Sequence, residues 1–169
     1  MPLTSSLSVA ASATLSSALD LATASAPVTV RAATTWQSGT GAGKADRVFS
    51  DRRTLAASAT EDLDLAGVLL DAFGAAITFA RIKGLYIRAA DANVNNVIVG
   101  NATSNAWATL LGATGTITLR PGAALGLTTG AADATAYAVT AGTGDIIKVA
   151  NSGAGTSVTY DIVIIGASA

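Results

Sequence analysis

The chain has 169 residues, no Cys, no His, a formal net charge of -1 and only 12% charged residues. Without imidazole or thiol it lacks the commonest general base, the commonest metal ligand and the readiest side-chain nucleophile, which argues against triad, zinc and redox chemistry. No Lys/Arg cluster suggests nucleic acid as a partner, and no apolar run reaches the ~18 residues of a membrane-spanning helix.

Half of the residues are apolar, mostly small ones diluted with Thr, Ser and Gly. So few charges leave a surface that neighbours are expected to cover, as in an obligate oligomer or an assembly component. The length suits one domain plus an arm, large enough for a core without disulfide or metal staples. Zero Cys fits assembly in a reducing cytoplasm. Ala24-Ser25-Ala26 resembles a signal-peptidase site. However, no Lys or Arg precedes Arg31, and Leu3 to Ala18 is rich in Ser and Thr. A secretory signal is therefore not expected.

In chain order, residues 1 to about 24 are a low-complexity mixture of Ser, Ala, Thr and Leu whose only charge is Asp20. They read as an arm that orders on a neighbour, with a weak helical tendency from Leu15 to Leu21. Pro27 to Arg31 predicts a first short strand, and Gly39 to Gly43 a flexible loop. Arg47–Ser50 and Arg53–Ala56 alternate polar and apolar residues, and Leu63, Leu65 and Val68 continue the rhythm. Leu69 to Gly74 predicts a helical turn or a loop closed by Gly74. Strands are expected at Ile77–Lys83 (with a bulge before Ile82), Leu85–Arg88, Val97–Val99 and Thr116–Arg120. Pro121-Gly122 predicts a type II turn. Ala124–Leu127, Ala136–Val139, Asp145–Ala150 and Val158–Ile165 complete the set, with a hairpin-like loop at Asn151–Gly155. Ile162 and Ile164 point to one face of the last strand, Val163 and Ile165 to the other, which predicts burial on both faces. Short strands at this spacing, with no periodic helix between them, predict an all-β fold: a β-sandwich, jelly-roll-like, with an extended N-terminal arm. The division expected is an arm with the first strand over 1–38, and the sandwich domain over 39–169.

Several motifs imitate chemistry. Gly39 to Lys44 lacks the first Gly and the Ser/Thr after Lys that a phosphate loop requires. Asp91-Ala92-Asn93-Val94-Asn95 copies the start of a calcium loop, but Asn96 stands where Gly is needed and Ala102 where Glu is needed. Glu61 and Asp64 are the nearest approach to a glycosidase pair, and a solvated strand start explains them better. Asn101-Ala102-Thr103 matches a glycosylation sequon and has no secretory context. No catalytic residue, cofactor or metal ligand is assigned. Trp36 and Trp107 are the large anchors: Trp107 is expected at a core edge, and Trp36, beside the Gly-rich loop, at an intersubunit contact.

Gly41-Ala42-Gly43-Lys44-Ala45-Asp46 followed by Asp51-Arg52-Arg53-Thr54-Leu55 resembles small structural proteins of tailed bacteriophages. The likeness continues through Leu63-Asp64-Leu65-Ala66-Gly67, Thr78 to Lys83, Arg120-Pro121-Gly122, Tyr137 to Thr143 and Tyr160 to Gly166, covering roughly residues 39 to 166. It implies a capsid decoration (cement) protein, made in the host cytoplasm and carried on the virion, that binds the major capsid protein on the head surface. It also implies a homo-oligomer, a trimer first and a dimer second, with no nucleic acid, membrane or enzymatic activity. A tail, fibre or baseplate component is the alternative. The interface residues expected under this reading are Leu3, Leu7, Leu15, Leu19, Leu21 and Trp36.

Overall fold

A computed structural model describes residues 2–169. The chain is nearly all strand, arranged in several antiparallel sheets. It opens with a long hairpin, β1 (Ser5–Ala18) and β2 (Thr23–Ser38), followed by the short β3 (Lys44–Ala45), which pairs in parallel with the end of β2. Then come β4 (Arg47–Leu55), β5 (Thr60–Asp64), β6 (Ala66–Leu70), β7 (Ala76–Thr78), β8 (Arg81–Ala89) and β9 (Val97–Gly100). A single helical turn, α1 (Ala108–Leu111), precedes β10 (Thr116–Leu119), β11 (Ala124–Thr128), β12 (Tyr137–Ala138), β13 (Ile146–Asn151) and β14 (Val158–Ala167).

Two sheets carry the body. One has the order β11-β8-β14-β4, with β12 added beside β8, and the other β10-β9-β13-β5. Within these eight strands the pairing is nested. The first, β4, pairs with the last, β14; β5 pairs with β13; β8 with β11; and β9 with β10. The pairs β14–β8 and β13–β9 join the nested pairs into sheets.

Strand alternation builds one main core from both sheets. Phe49, Leu85, Ile87, Tyr160, Ile162 and Ile164 of the first sheet meet Leu63, Val97, Val99, Leu119, Ile147 and Val149 of the second. A second, smaller cluster of Trp36, Ala45 and Ile165, flanked by Leu3, Leu7, Val48 and Val163, lies on the opposite face of the first sheet. Ile162 and Ile164 therefore face the main core while Ile165 faces the smaller one, so β14 is covered on both sides.

The turns follow their sequence signals. Ala123 N–H donates to the Arg120 carbonyl (2.8 Å), with Gly122 at φ +79°, closing the expected type II turn. After β6, Asp71 Oδ1 accepts the N–H groups of Phe73 (2.8 Å) and Ala75 (2.9 Å), making a side-chain-anchored loop rather than a helical turn. Segment 77–83 is split, Ile77 belonging to β7 and the rest to β8, and the register slips beside Ile82 where Gly166 replaces Ile165 as partner.

The N-terminal segment corrects the sequence expectation most. Leu15 to Leu21 is not helical: β1 runs to Ala18 and a tight turn follows, in which Leu19 N–H donates to the Ala22 carbonyl (2.7 Å). The short strand expected at 27–31 is the middle of a sixteen-residue strand. Fourteen successive residue pairs, from Ser5–Trp36 to Ala18–Thr23, supply the backbone partners that a Ser/Thr-rich helix would have held less well. Pro27 fits because β2 has no neighbour on its other side there, so its nitrogen need not donate.

Candidate functional site

The hairpin β1–β2 is seated at its base and free beyond it. At the base, the Trp36 ring lies on Gly84 of β8: a Cβ added there would sit 3.1 Å from the Trp36 ring and 3.4 Å from Leu7. Val9 approaches Gly126 of β11 in the same way, with only 2.9 Å left for a Cβ. A strand glycine of this kind marks close approach of another segment. Thr34 Oγ1 also donates to the Thr129 carbonyl (2.9 Å). Beyond Val9 the ribbon passes the edge strand β11 and both of its faces are exposed. At ~3.4 Å per residue, Ala10 to Ala18 projects about 30 Å from the body.

Residues opposite one another in an antiparallel pair share a face, so the register sorts the side chains. Leu7, Val9, Ala11, Ala13 and Leu15 lie with Thr34, Ala32, Val30, Val28 and Ala26 on one face. Ser8, Ser12, Thr14 and Ser16 lie with Ala33, Thr29, Pro27 and Ser25 on the other. The ribbon is amphipathic and its apolar face carries no charge. The only charges of residues 1–38 are Asp20 in the turn and Arg31 on the polar face. Among the described residues, six of the ten exposed large hydrophobic side chains belong to this hairpin: Val9, Leu15, Leu19, Leu21, Val28 and Val30. The concentration marks the hairpin as the candidate contact surface.

The expected interface residues fall into two groups. Leu15, Leu19 and Leu21 are exposed, Leu21 completely. Leu3 and Leu7 are half-buried against Trp36. Trp36 itself is fully buried within its own chain, so the expectation of an intersubunit contact is corrected: the indole fastens the ribbon to the sheet. Its Nε1 is buried without a hydrogen-bond partner. Val9, Val28 and Val30 were not singled out in the sequence. Their signal is the strict alternation from Leu7 to Leu15 and from Ala24 to Trp36, muted because Ala and Ser differ little in hydropathy.

The imitation motifs are structural. In the Gly39–Lys44 loop the carbonyls of Gly41 and Lys44 accept from Lys83 Nζ, both at 2.5 Å. The loop thus presents carbonyls to an ammonium, the reverse of a phosphate cradle. Burial, more than the nearby Arg81, lowers the Lys83 pKa; Asp133 and Asp46 oppose that shift. In the 91–96 segment, Asp91 pairs with Arg88 (2.5 Å), and Asn93 bonds both ways to the Thr159 backbone (2.8 Å each). Asn95 Nδ2 donates to Asn151, Gly153 and Thr156. These side chains lace the segment to the β13–β14 loop.

Three residues apart on a strand means opposite faces, so Glu61 and Asp64 do not face one another. Glu61 accepts from the Tyr160 hydroxyl (2.5 Å) and from Arg53 (2.8 Å), while Asp64 accepts the Ala66 N–H (2.8 Å). Burial first, and then the hydrogen bond to Glu61, push the Tyr160 phenol far above its ordinary range. Trp107 edges the main core, donating from Nε1 to the Ala138 carbonyl (2.9 Å) with Tyr137 edge-on at 6.1 Å.

The outer face of the first sheet beyond the ribbon's seat is polar. Arg52 grips Asp161 through two bonds (2.6 and 3.0 Å), and this hydrogen bonding lowers the Asp161 pKa. The contrast with the uncharged ribbon is sharp, and it separates a solvated face from a sticky one. Compared with known protein families, with curated proteins and with solved structures, the chain matches none.

Proposed function

We propose that this chain is a structural protein of a tailed-phage virion, a decoration (cement) protein that binds the outside of the head and ties neighbouring major capsid subunits together. In this reading the eight body strands are a jelly roll, two sheets closed into a sandwich, and residues 1–38 are the contact arm. The nested pairing of β4 with β14, β5 with β13, β8 with β11 and β9 with β10 supports the jelly roll. Such a fold serves many tasks, so it does not carry the function by itself.

The observation that carries the reading is the projecting ribbon with its uncharged apolar face. A stiff body anchors it through Trp36, and its free length reaches across a joint between subunits. Several copies around a symmetry axis multiply weak individual contacts into firm attachment. The few charges of the chain suit a protein whose surface is shared with neighbours.

The test is a cryo-EM reconstruction of the particle that carries the protein. The expected density is a β body standing on the capsid lattice with its hairpin laid across a subunit joint. Density confined to the tail or fibres would refute the cement role. A shortened hairpin, with residues 11–30 replaced by an Asn-Gly turn, is expected to lose retention on heads while keeping the body folded.

A further inference from the structure

From the ribbon's geometry we infer that its apolar face beyond Val9 packs against the same face of a second copy of this chain. The inference deepens the proposal that residues 1–38 are a contact arm, and it rests on that proposal.

A two-stranded ribbon alone in water is marginally stable, so a free length of about nine residue pairs needs cover. The first sheet of its own body covers the base only as far as Val9 over Gly126. The uncovered part of the apolar face presents Ala11, Ala13, Leu15, Ala26, Val28 and Val30. A charged partner would find nothing there to pair with. An identical uncharged face meets it without repulsion, and a two-fold arrangement lets each copy bury what the other exposes.

Size supports the same occupant. The free face measures about 30 Å by about 10 Å, from ~3.4 Å per residue along the strands and two strands' width. Two such faces in contact, extended by Leu19 and Leu21 at the tips, remove on the order of 1,000 Å² in total, where specific interfaces begin. Each residue pair also sets a small side chain beside a larger one: Ala11 with Val30, Ala13 with Val28, Leu15 with Ala26. This relief allows the close layer packing found between sheet faces.

The experiment is sedimentation velocity of the full chain over a hundred-fold range of concentration. It compares the wild type, Ala13→Asp and Val28→Asp on the apolar face, and Ser12→Asp and Thr29→Asp on the polar face. All four positions are exposed, so circular dichroism should show an unchanged fold. The wild type and the polar-face variants are expected to be oligomers, and the apolar-face variants to fall to the 16.6 kDa monomer. A monomeric wild type, or an oligomer that survives both apolar-face substitutions, overturns the inference. Head retention is read separately: an oligomer indifferent to Val28→Asp, with retention lost on shortening the hairpin, would sink the ribbon pairing and leave the contact arm standing.

Discussion

Replacing Ile164 with Ala tests the way the two body sheets share their core. Ile164 is fully buried in the central strand β14, between β4 and β8, and faces the second sheet. The substitution removes three carbons, worth about 2.4 kcal/mol at ~0.8 kcal/mol each. β14 is hydrogen-bonded on both sides and cannot sink into the gap. If ~50 Å³ stays open, the cavity adds about 1.2 kcal/mol. The expected loss is about 3.5 kcal/mol in urea denaturation followed by circular dichroism and Trp fluorescence. Ile165→Ala is the comparison. It removes the same atoms from the smaller cluster, where the seated hairpin can settle, so its loss is expected nearer 2 kcal/mol. It should also shift the emission of Trp36, its neighbour, whereas Ile164→Ala should not. A loss below about 0.5 kcal/mol for Ile164→Ala, the range of surface substitutions, would refute the shared core.

Three further outcomes are expected. Gly84→Val drives a side chain into Trp36 and Leu7 and should destabilise by about 1–3 kcal/mol, as overpacking does, with a red-shifted Trp36 emission; unchanged emission would mean the ribbon is not seated there. Lys83→Met strips the carbonyls of Gly41 and Lys44 of their donor and should cost about 1–3 kcal/mol, with faster amide exchange over residues 39–45; unchanged exchange would show that the ammonium does not hold the loop. The raised Tyr160 pKa means that the folded state keeps a proton the unfolded chain gives up. Its stabilisation is full below the ordinary tyrosine pKa of about 10 and is lost as pH rises above it. In an alkaline titration, one of the three tyrosines should ionise only as the protein unfolds; three tyrosines ionising together in the folded protein would contradict this.

Much of the body was legible because a strand with one buried face writes its period into the residues. Val158, Tyr160, Ile162 and Ile164 alternate with Thr159, Asp161 and Val163, and the Pro121-Gly122 turn has a backbone requirement few other pairs meet. The hairpin was harder. Its alternation is written in Ala, Ser, Thr and Val, whose burial free energies lie close together, so a low-complexity segment and a regular strand look alike. Trp36 was misjudged for a related reason: a large aromatic beside a glycine loop suits an interface as well as a core, and its partner, Gly84, has no side chain to announce it.

The sequence by itself determined the all-β character, most strand positions and the poverty of catalytic groups, because these depend on local alternation, turn residues and composition. The tertiary structure alone decided which strands pair, that Lys83 holds a loop some forty residues away in sequence, that Glu61 faces Tyr160 while Asp64 faces away, and that the N-terminal segment is a seated ribbon with one open apolar face. Those features rest on contacts between segments far apart in the chain, whose geometry no local pattern encodes.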